Sequence, residues 1–174
     1  MKLTPVMEKY ILHWGEMGTR WGVNRTVAQI HALLYLSESA LNAEEITDTL
    51  KVARSNVSTS LKELESWGLL KTVPVMGDRR EHFDTHQDPW DLFDLIIEGR
   101  KRRELDPTLT VLRECVLSCE NDKETPQYAK DRMADVLGFM ETLSGWYEQI
   151  SQLPRKTLVK LISLGGKIQK LIGK

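Results

Sequence analysis

From Arg54 to Leu64 the apolar residues Val57, Leu61 and Leu64 recur at helical spacing, and past Gly68 the period changes to that of a strand. A glycine at such a junction is a strong helix stop. Leu69-Leu70-Lys71-Thr72-Val73-Pro74-Val75 reads as a strand, with Pro74 suited to an edge because it cannot donate to a ladder. Met76-Gly77-Asp78-Arg79-Arg80 reads as a turn, and Glu81-His82-Phe83-Asp84-Thr85 as a second short strand. Upstream, Asn24 can cap a helix that buries Val27, Ile30 and Leu34, with Ala28 and Leu33 beside them, and that ends near Ser37. Asn42 followed by Glu45 resembles a capping box, opening a short helix that buries Ile46 and Leu50. Lys51-Val52-Ala53 then turns the chain into the Arg54 helix. Three helices and a two-stranded hairpin, in that order, describe a winged helix-turn-helix. The expected fold is therefore mostly α with a small β-hairpin wing, flanked by N- and C-terminal dimerisation helices.

The helix from Arg54 carries the proposed recognition surface. Ser55, Thr59 and Lys62 fall opposite Val57, Leu61 and Leu64, with Ser58 at the margin. Small hydroxyls and a cation can press into a major groove, where Asn56 can read adenine and Arg54 can reach phosphate or guanine. Arg79 and Arg80 are placed at the hairpin tip, where a narrow minor groove concentrates negative potential. Asp78 is an odd neighbour for DNA unless it clamps an adjacent arginine. Taken alone, an amphipathic helix with a solvated polar face and an exposed turn with an ion pair explain the same residues. The two in succession favour DNA. A winged helix used for protein–protein contact is the alternative, and it calls for an acidic or apolar face where this one is polar to basic.

The rest of the chain divides around that unit: an N-terminal dimerisation helix over residues 1–22, the DNA-binding domain over 23–86, and a helical dimerisation region over 87–174. Val6, Tyr10, Trp14, Met17 and Trp21 form one apolar stripe. Asp88 with Pro89, and Thr125 with Pro126, read as cap-then-proline helix starts, and Pro107 should kink or restart the first of these helices. Residues 153–174 hold six Lys or Arg and no acid, with Leu158, Leu161, Ile162, Ile168, Leu171 and Ile172 at helical spacing and a bend expected at Gly165-Gly166. That pattern suits a membrane-surface helix as well, but a dimerisation helix is the simpler account.

Composition narrows the function. A net charge of −1 leaves DNA contact to local patches. No apolar run approaches the roughly 20 residues of a membrane span, and no signal-peptide pattern opens the chain; a cytoplasmic protein without a membrane partner is expected. Cys115 and Cys119, four apart on a helix, read as partly buried thiols, and His82 with His86 lacks further ligands, so neither metal nor cofactor is expected. No phosphate loop or nucleophile motif suggests an enzyme.

The run Asn56-Val57-Ser58-Thr59-Ser60-Leu61-Lys62-Glu63-Leu64-Glu65-Ser66-Trp67-Gly68-Leu69 resembles the recognition helix of MarR-type regulators, and within them the GbsR-like branch. Gly77-Asp78-Arg79-Arg80 is similar to that branch's wing, and Asp88-Pro89-Trp90 with Arg100-Lys101-Arg102-Arg103-Glu104-Leu105 to its linker helix. Ala53 departs from the pattern, because Ser is the common cap there; the cap then shifts to Ser55 or is absent. The resemblance covers most of residues 20 to 110. It implies a sequence-specific transcriptional regulator, a repressor, that binds double-stranded DNA as a homodimer on a pseudo-palindromic operator. It also implies a small-molecule effector. A quaternary ammonium would be held on aromatic faces, for which Tyr10, Trp14, Trp21 and Tyr35 are the candidates, although aromatics on apolar stripes are more often core.

Overall fold

The computed structural model describes residues 1–172, with side chains described as far as Leu164. The chain divides into two compact units, Met1–Gly99 and Arg100–Lys174.

In the first unit, α1 (Pro5–Arg20) starts at Thr4, whose side chain accepts from Met7 N, with proline in the first turn where its missing N–H costs nothing. Asn24 caps α2 (Arg25–Leu36) by accepting from Thr26 N at 2.8 Å. α2 is the central helix: Val27, Ile30, Ala32, Leu33 and Leu34 are all buried, against Ile11 of α1 and Ile46, Val57, Leu61 and Leu64 of the two helices that follow. α1 approaches α2 through glycines. A Cβ on Gly18 would lie 2.5 Å from Ala28 Cβ, and one on Gly15 2.7 Å from Gln29 Cγ.

The packed face of α1 is thus Ile11 and Gly15, a different face from the Val6-Tyr10-Trp14-Met17-Trp21 stripe. Val6, Trp14 and Trp21 stay exposed in the single chain, and Tyr10 is half-buried. Glycine carries no weight in an apolar-periodicity count, yet it permits the closest helix contact.

The capping box forms as expected. Asn42 Oδ1 accepts from Glu44 N and Glu45 N at 3.0 Å each, and Glu45 Oε2 accepts from Asn42 N at 2.8 Å, opening α3 (Ala43–Leu50). Lys51 turns the chain in the left-handed region, φ 55°, into α4 (Arg54–Ser66). The N-cap of α4 is Ala53 and makes no side-chain cap bond.

Three antiparallel strands complete the wing: β1 (Leu41–Asn42), β2 (Lys71–Val75) and β3 (Asp78–Asp84), in the order β1-β3-β2. β1, two residues long, went unread because Leu41-Asn42 also begins a helix; it pairs Leu41 with Phe83 and Asn42 with His82. β2 is an edge strand, and its register shifts between Val73 and Val75, at Pro74, where the ladder has no donor. The hairpin is tighter than expected. Val75 pairs with Asp78, leaving Met76-Gly77 as the turn, with Gly77 at φ 82°. Arg79 and Arg80 therefore sit on the first rungs of β3 and not at the tip. Beyond the wing, Asp88 Oδ1 accepts from Trp90 N at 2.8 Å and starts α5 (Pro89–Arg100).

In the second unit a π-helical turn over Lys101–Leu105 joins directly onto α6 (Asp106–Ser118), with Pro107 in its first turn. The widened turn relieves the clash of the proline ring with the carbonyl four residues earlier. α6 packs along α7 (Gln127–Ser151), burying Leu109 and Ser144 and pairing Arg113 Nε with Glu141 at 2.8 Å. Lys101 Nζ bridges Asp106 at 2.9 Å and Glu148 at 3.2 Å, tying the π turn to α7. Thr125 does not cap α7: its N-cap is Pro126, without a side-chain bond, while Asp122 accepts from Glu124 N and Thr125 N. Cys115 and Cys119 are free, partly buried thiols. α8 (Arg155–Ile172) is one helix through Gly165-Gly166; the side chains of Ile168, Leu171 and Ile172 lie outside the described residues.

Candidate nucleic-acid interface

Helix α4 presents two faces. Val57, Ser60, Leu61 and Leu64 are buried against α2, while Arg54, Ser55, Asn56, Ser58, Thr59 and Lys62 are all exposed. The apolar contacts fix the rotation of the helix, so the polar residues point outward as a set. Because Ala53 offers no side-chain cap, first-turn N–H groups of α4 remain open to an anionic partner. Between α4, α3 and the hairpin lies an open cleft of about 450 Å³, lined among others by Arg54, Ser58, Lys62, Glu44, Arg80 and Phe83. Of the sequence-predicted residues, Arg54, Ser58, Lys62 and Arg80 come together at this cleft, while Ser55, Asn56, Thr59 and Arg79 are exposed but do not line it.

The two wing arginines differ. Among the described residues Arg79 has no ionic partner. Arg80 is held from two sides: Nη2 lies 2.5 Å from Asp78 Oδ2, Nε 3.0 Å from both Asp78 oxygens, and Nη1 2.8 Å from Glu44 Oε2. Hydrogen bonds from Arg80 hold the Asp78 carboxyl well below the usual carboxylate range, and those carboxylates push the guanidinium further up. The clamp by Asp78 was legible in the sequence. Glu44 was missed, since its local pattern signals only the first turn of α3.

A second, buried network fastens the root of the wing. Thr85, just past β3, is 2% exposed; its Oγ1 donates to Leu69 O at 2.7 Å and lies 3.2 Å from His31 Nε2. The hydroxyl has one proton and the carbonyl can only accept, so His31 must donate: it is the neutral Nε2–H tautomer. Burial, with a smaller contribution from His86, lowers the His31 pKa to about 4. His82 is buried too, with Nδ1 3.0 Å from Arg80 O. Among the described residues no group of three or more His, Cys, Asp or Glu is placed to hold a metal ion.

Of the aromatic candidates, Tyr10 and Trp14 stack with centroids 5.6 Å apart and planes 9° apart, and burial and the neighbouring Tyr35 raise the Tyr10 pKa. Trp21 stands exposed at the end of α1.

Residues 21–81 match the model of the MarR family. The HTH-type transcriptional repressor GbsR of Bacillus subtilis (strain 168) is 19% identical over 138 residues, covering 76% of this chain and 75% of that protein. A crystal structure described as that of a transcriptional regulator superposes with a TM-score of 0.65 at 20% identity, covering 86% of this chain and 100% of the other. A transcriptional regulator from Thermotoga maritima aligns at 19% identity over 86% of this chain and 94% of its own, with a TM-score of 0.39. The solved structure at 0.65 has the same fold, and the family model spans from the residue after α1 into β3. Residues 21–81, the stretch that the MarR family model matches, fold as a winged helix.

Proposed function

We propose that the chain is a transcriptional regulator, a repressor, that binds double-stranded DNA as a homodimer with one α4 in the major groove of each half-site. The observation that carries this reading is the outward polar and basic face of α4 beside a hairpin carrying an exposed Arg79 that has no ionic partner among the described residues. Ser55, Asn56, Ser58 and Thr59 then read base edges, Arg54 and Lys62 take phosphates, and Arg79 follows the adjacent minor groove. The name of the Bacillus relative supports repression. No helix among the described residues is long and apolar enough to cross a membrane.

The dimer is supported by the apolar side chains that a single chain leaves in water: Val6, Trp14 and Trp21 of α1, Phe139 and Trp146 of α7, Leu161 and Ile162 of α8. Burying them across a two-fold axis sets the spacing of the two α4 helices, about one DNA turn for a pseudo-palindrome. A small-molecule effector acts on that spacing only by binding one arrangement better than the other.

Gel shifts on DNA upstream of the chain's own reading frame, run across a salt series, test the reading. Affinity should fall steeply with salt, and Arg79→Ala should reduce the log–log slope by about 0.9, the value of one phosphate contact. An unchanged slope removes Arg79 from the contact. Light scattering should give twice the 20.0 kDa chain mass, and a monomer at micromolar concentration, free and with DNA, would sink the dimer.

A further inference from the structure

We propose that Glu44 is a positioning residue for the wing: it holds Arg80 as an internal cation that masks acidic charge on the DNA-facing surface, while Arg79 makes the wing's contact with DNA. This inference rests on the DNA-binding reading.

The geometry assigns most of Arg80 to carboxylates. Three of its five N–H directions are used, with Nε and Nη2 on Asp78 and Nη1 on Glu44, which lies 36 positions earlier. Glu44 stands in the first turn of α3, and the capping box on Asn42 fixes that turn, so the carboxylate is delivered from a rigid element. Asp78 is placed by its own bond from Arg80 N at 2.9 Å. Arg80 thus spans from the hairpin to α3, and its contacts set where the hairpin sits.

Charge makes the consequence larger than the strength of the ion pair, which at an exposed site is small. The charged residues lining the cleft are Arg54, Lys62 and Arg80 against Glu44, Glu65 and Glu81. The cleft is balanced only while Arg80 is present. Asp78, just outside that set, adds a further carboxylate that Arg80 also covers. An arginine committed to two carboxylates has little net attraction left for phosphate; losing it exposes them to a polyanion, and juxtaposed like charges are strongly unfavourable.

The experiment compares full-length wild type with R80A, E44Q and the double variant R80A/E44Q, binding a fluorescein-labelled mixed-sequence DNA duplex by anisotropy across a salt series. R80A should bind about tenfold more weakly at low salt, with the deficit shrinking as added salt screens the exposed carboxylates. Adding E44Q should bring binding back to within about threefold of wild type, and E44Q alone should bind at least as tightly as wild type. R80A/E44Q binding no more tightly than R80A makes Arg80 itself a phosphate contact and overturns the proposal. Hydrogen exchange reads the brace without DNA: Glu44→Ala should speed exchange of hairpin amides around the Val73–His82 pair, and unchanged rates overturn that half. Wild-type protein that binds no duplex overturns the DNA reading and the masking role together, while the exchange result still decides the brace.

Discussion

Val57→Asp is expected to abolish the cooperative thermal transition of the winged helix, whereas Thr59→Glu, two residues away, should melt within a few degrees of wild type and fail to bind DNA. Val57 is 0% exposed, packed in the core shared by α2, α3 and α4. An aspartate there loses the burial of a valine, about 1.5–3 kcal/mol, and must leave its carboxylate unpaired or take up a proton, at several kcal/mol more. Set against the 5–15 kcal/mol that holds a typical domain together, this is most or all of the stability. Thr59 lies on the solvent face of α4 and touches none of that core. A glutamate at the centre of the proposed groove contact is both too long and of the phosphates' own sign. Circular dichroism melts beside anisotropy titrations separate the two. A Thr59→Glu protein that is unfolded, or a Val57→Asp protein that melts normally, would mean that the helix faces the other way.

How far the sequence carried the fold depended on how local each determinant is. The rotation of α4 was legible because its apolar residues recur at 3.6-residue spacing and its other positions are all polar or charged. The start of α3 was legible because a capping box is complete within four residues. The second strand of the hairpin was started three residues late, at Glu81 in place of Asp78, because Asp78-Arg79-Arg80 has the composition of a loop. In the fold, Asp78 bonds Arg80 N and Nε, and Met76-Gly77 suffices to turn the chain. The contact of α1 with α2 was not legible for a different reason: Gly15 and Gly18, invisible to an apolar count, let α2 come close, while Val6, Trp14 and Trp21 of the stripe stay exposed in the single chain. Pairs far apart in sequence left no trace at all. Neither Glu44 with Arg80 nor His31 with Thr85 follows from any periodicity, and both decide how the wing is held.

The His31–Thr85 pair makes the wing root sensitive to acid. His31 is neutral in the fold with its pKa lowered to about 4, against 6.5 for an unhindered imidazole. Above pH 6.5 neither the folded nor the unfolded chain protonates it, so the site contributes no pH dependence. Between pH 6.5 and about 4 the unfolded chain takes up the proton and the folded one does not, so stability falls as pH falls. By pH 4 the loss from this one group is about 3 kcal/mol, at 1.36 kcal/mol per unit of pKa difference. Below that the folded form also protonates and the loss levels off. The lowered pKa of Asp78 acts at more acid pH, below the usual carboxylate range, and does not fill the same window. Protonation also places a charge beside Thr85, whose hydroxyl joins the end of β3 to Leu69 at the start of the wing, so hairpin amides should lose protection before the α2 core does. Urea unfolding of wild type and His31→Leu at pH 7, 5.5 and 4.2 isolates the effect. Leucine keeps the Thr85–Leu69 bond and removes the titrating group, so the variant should lose about 3 kcal/mol less than wild type across that range. Parallel losses in the two proteins would show that His31 does not titrate from a buried, neutral state.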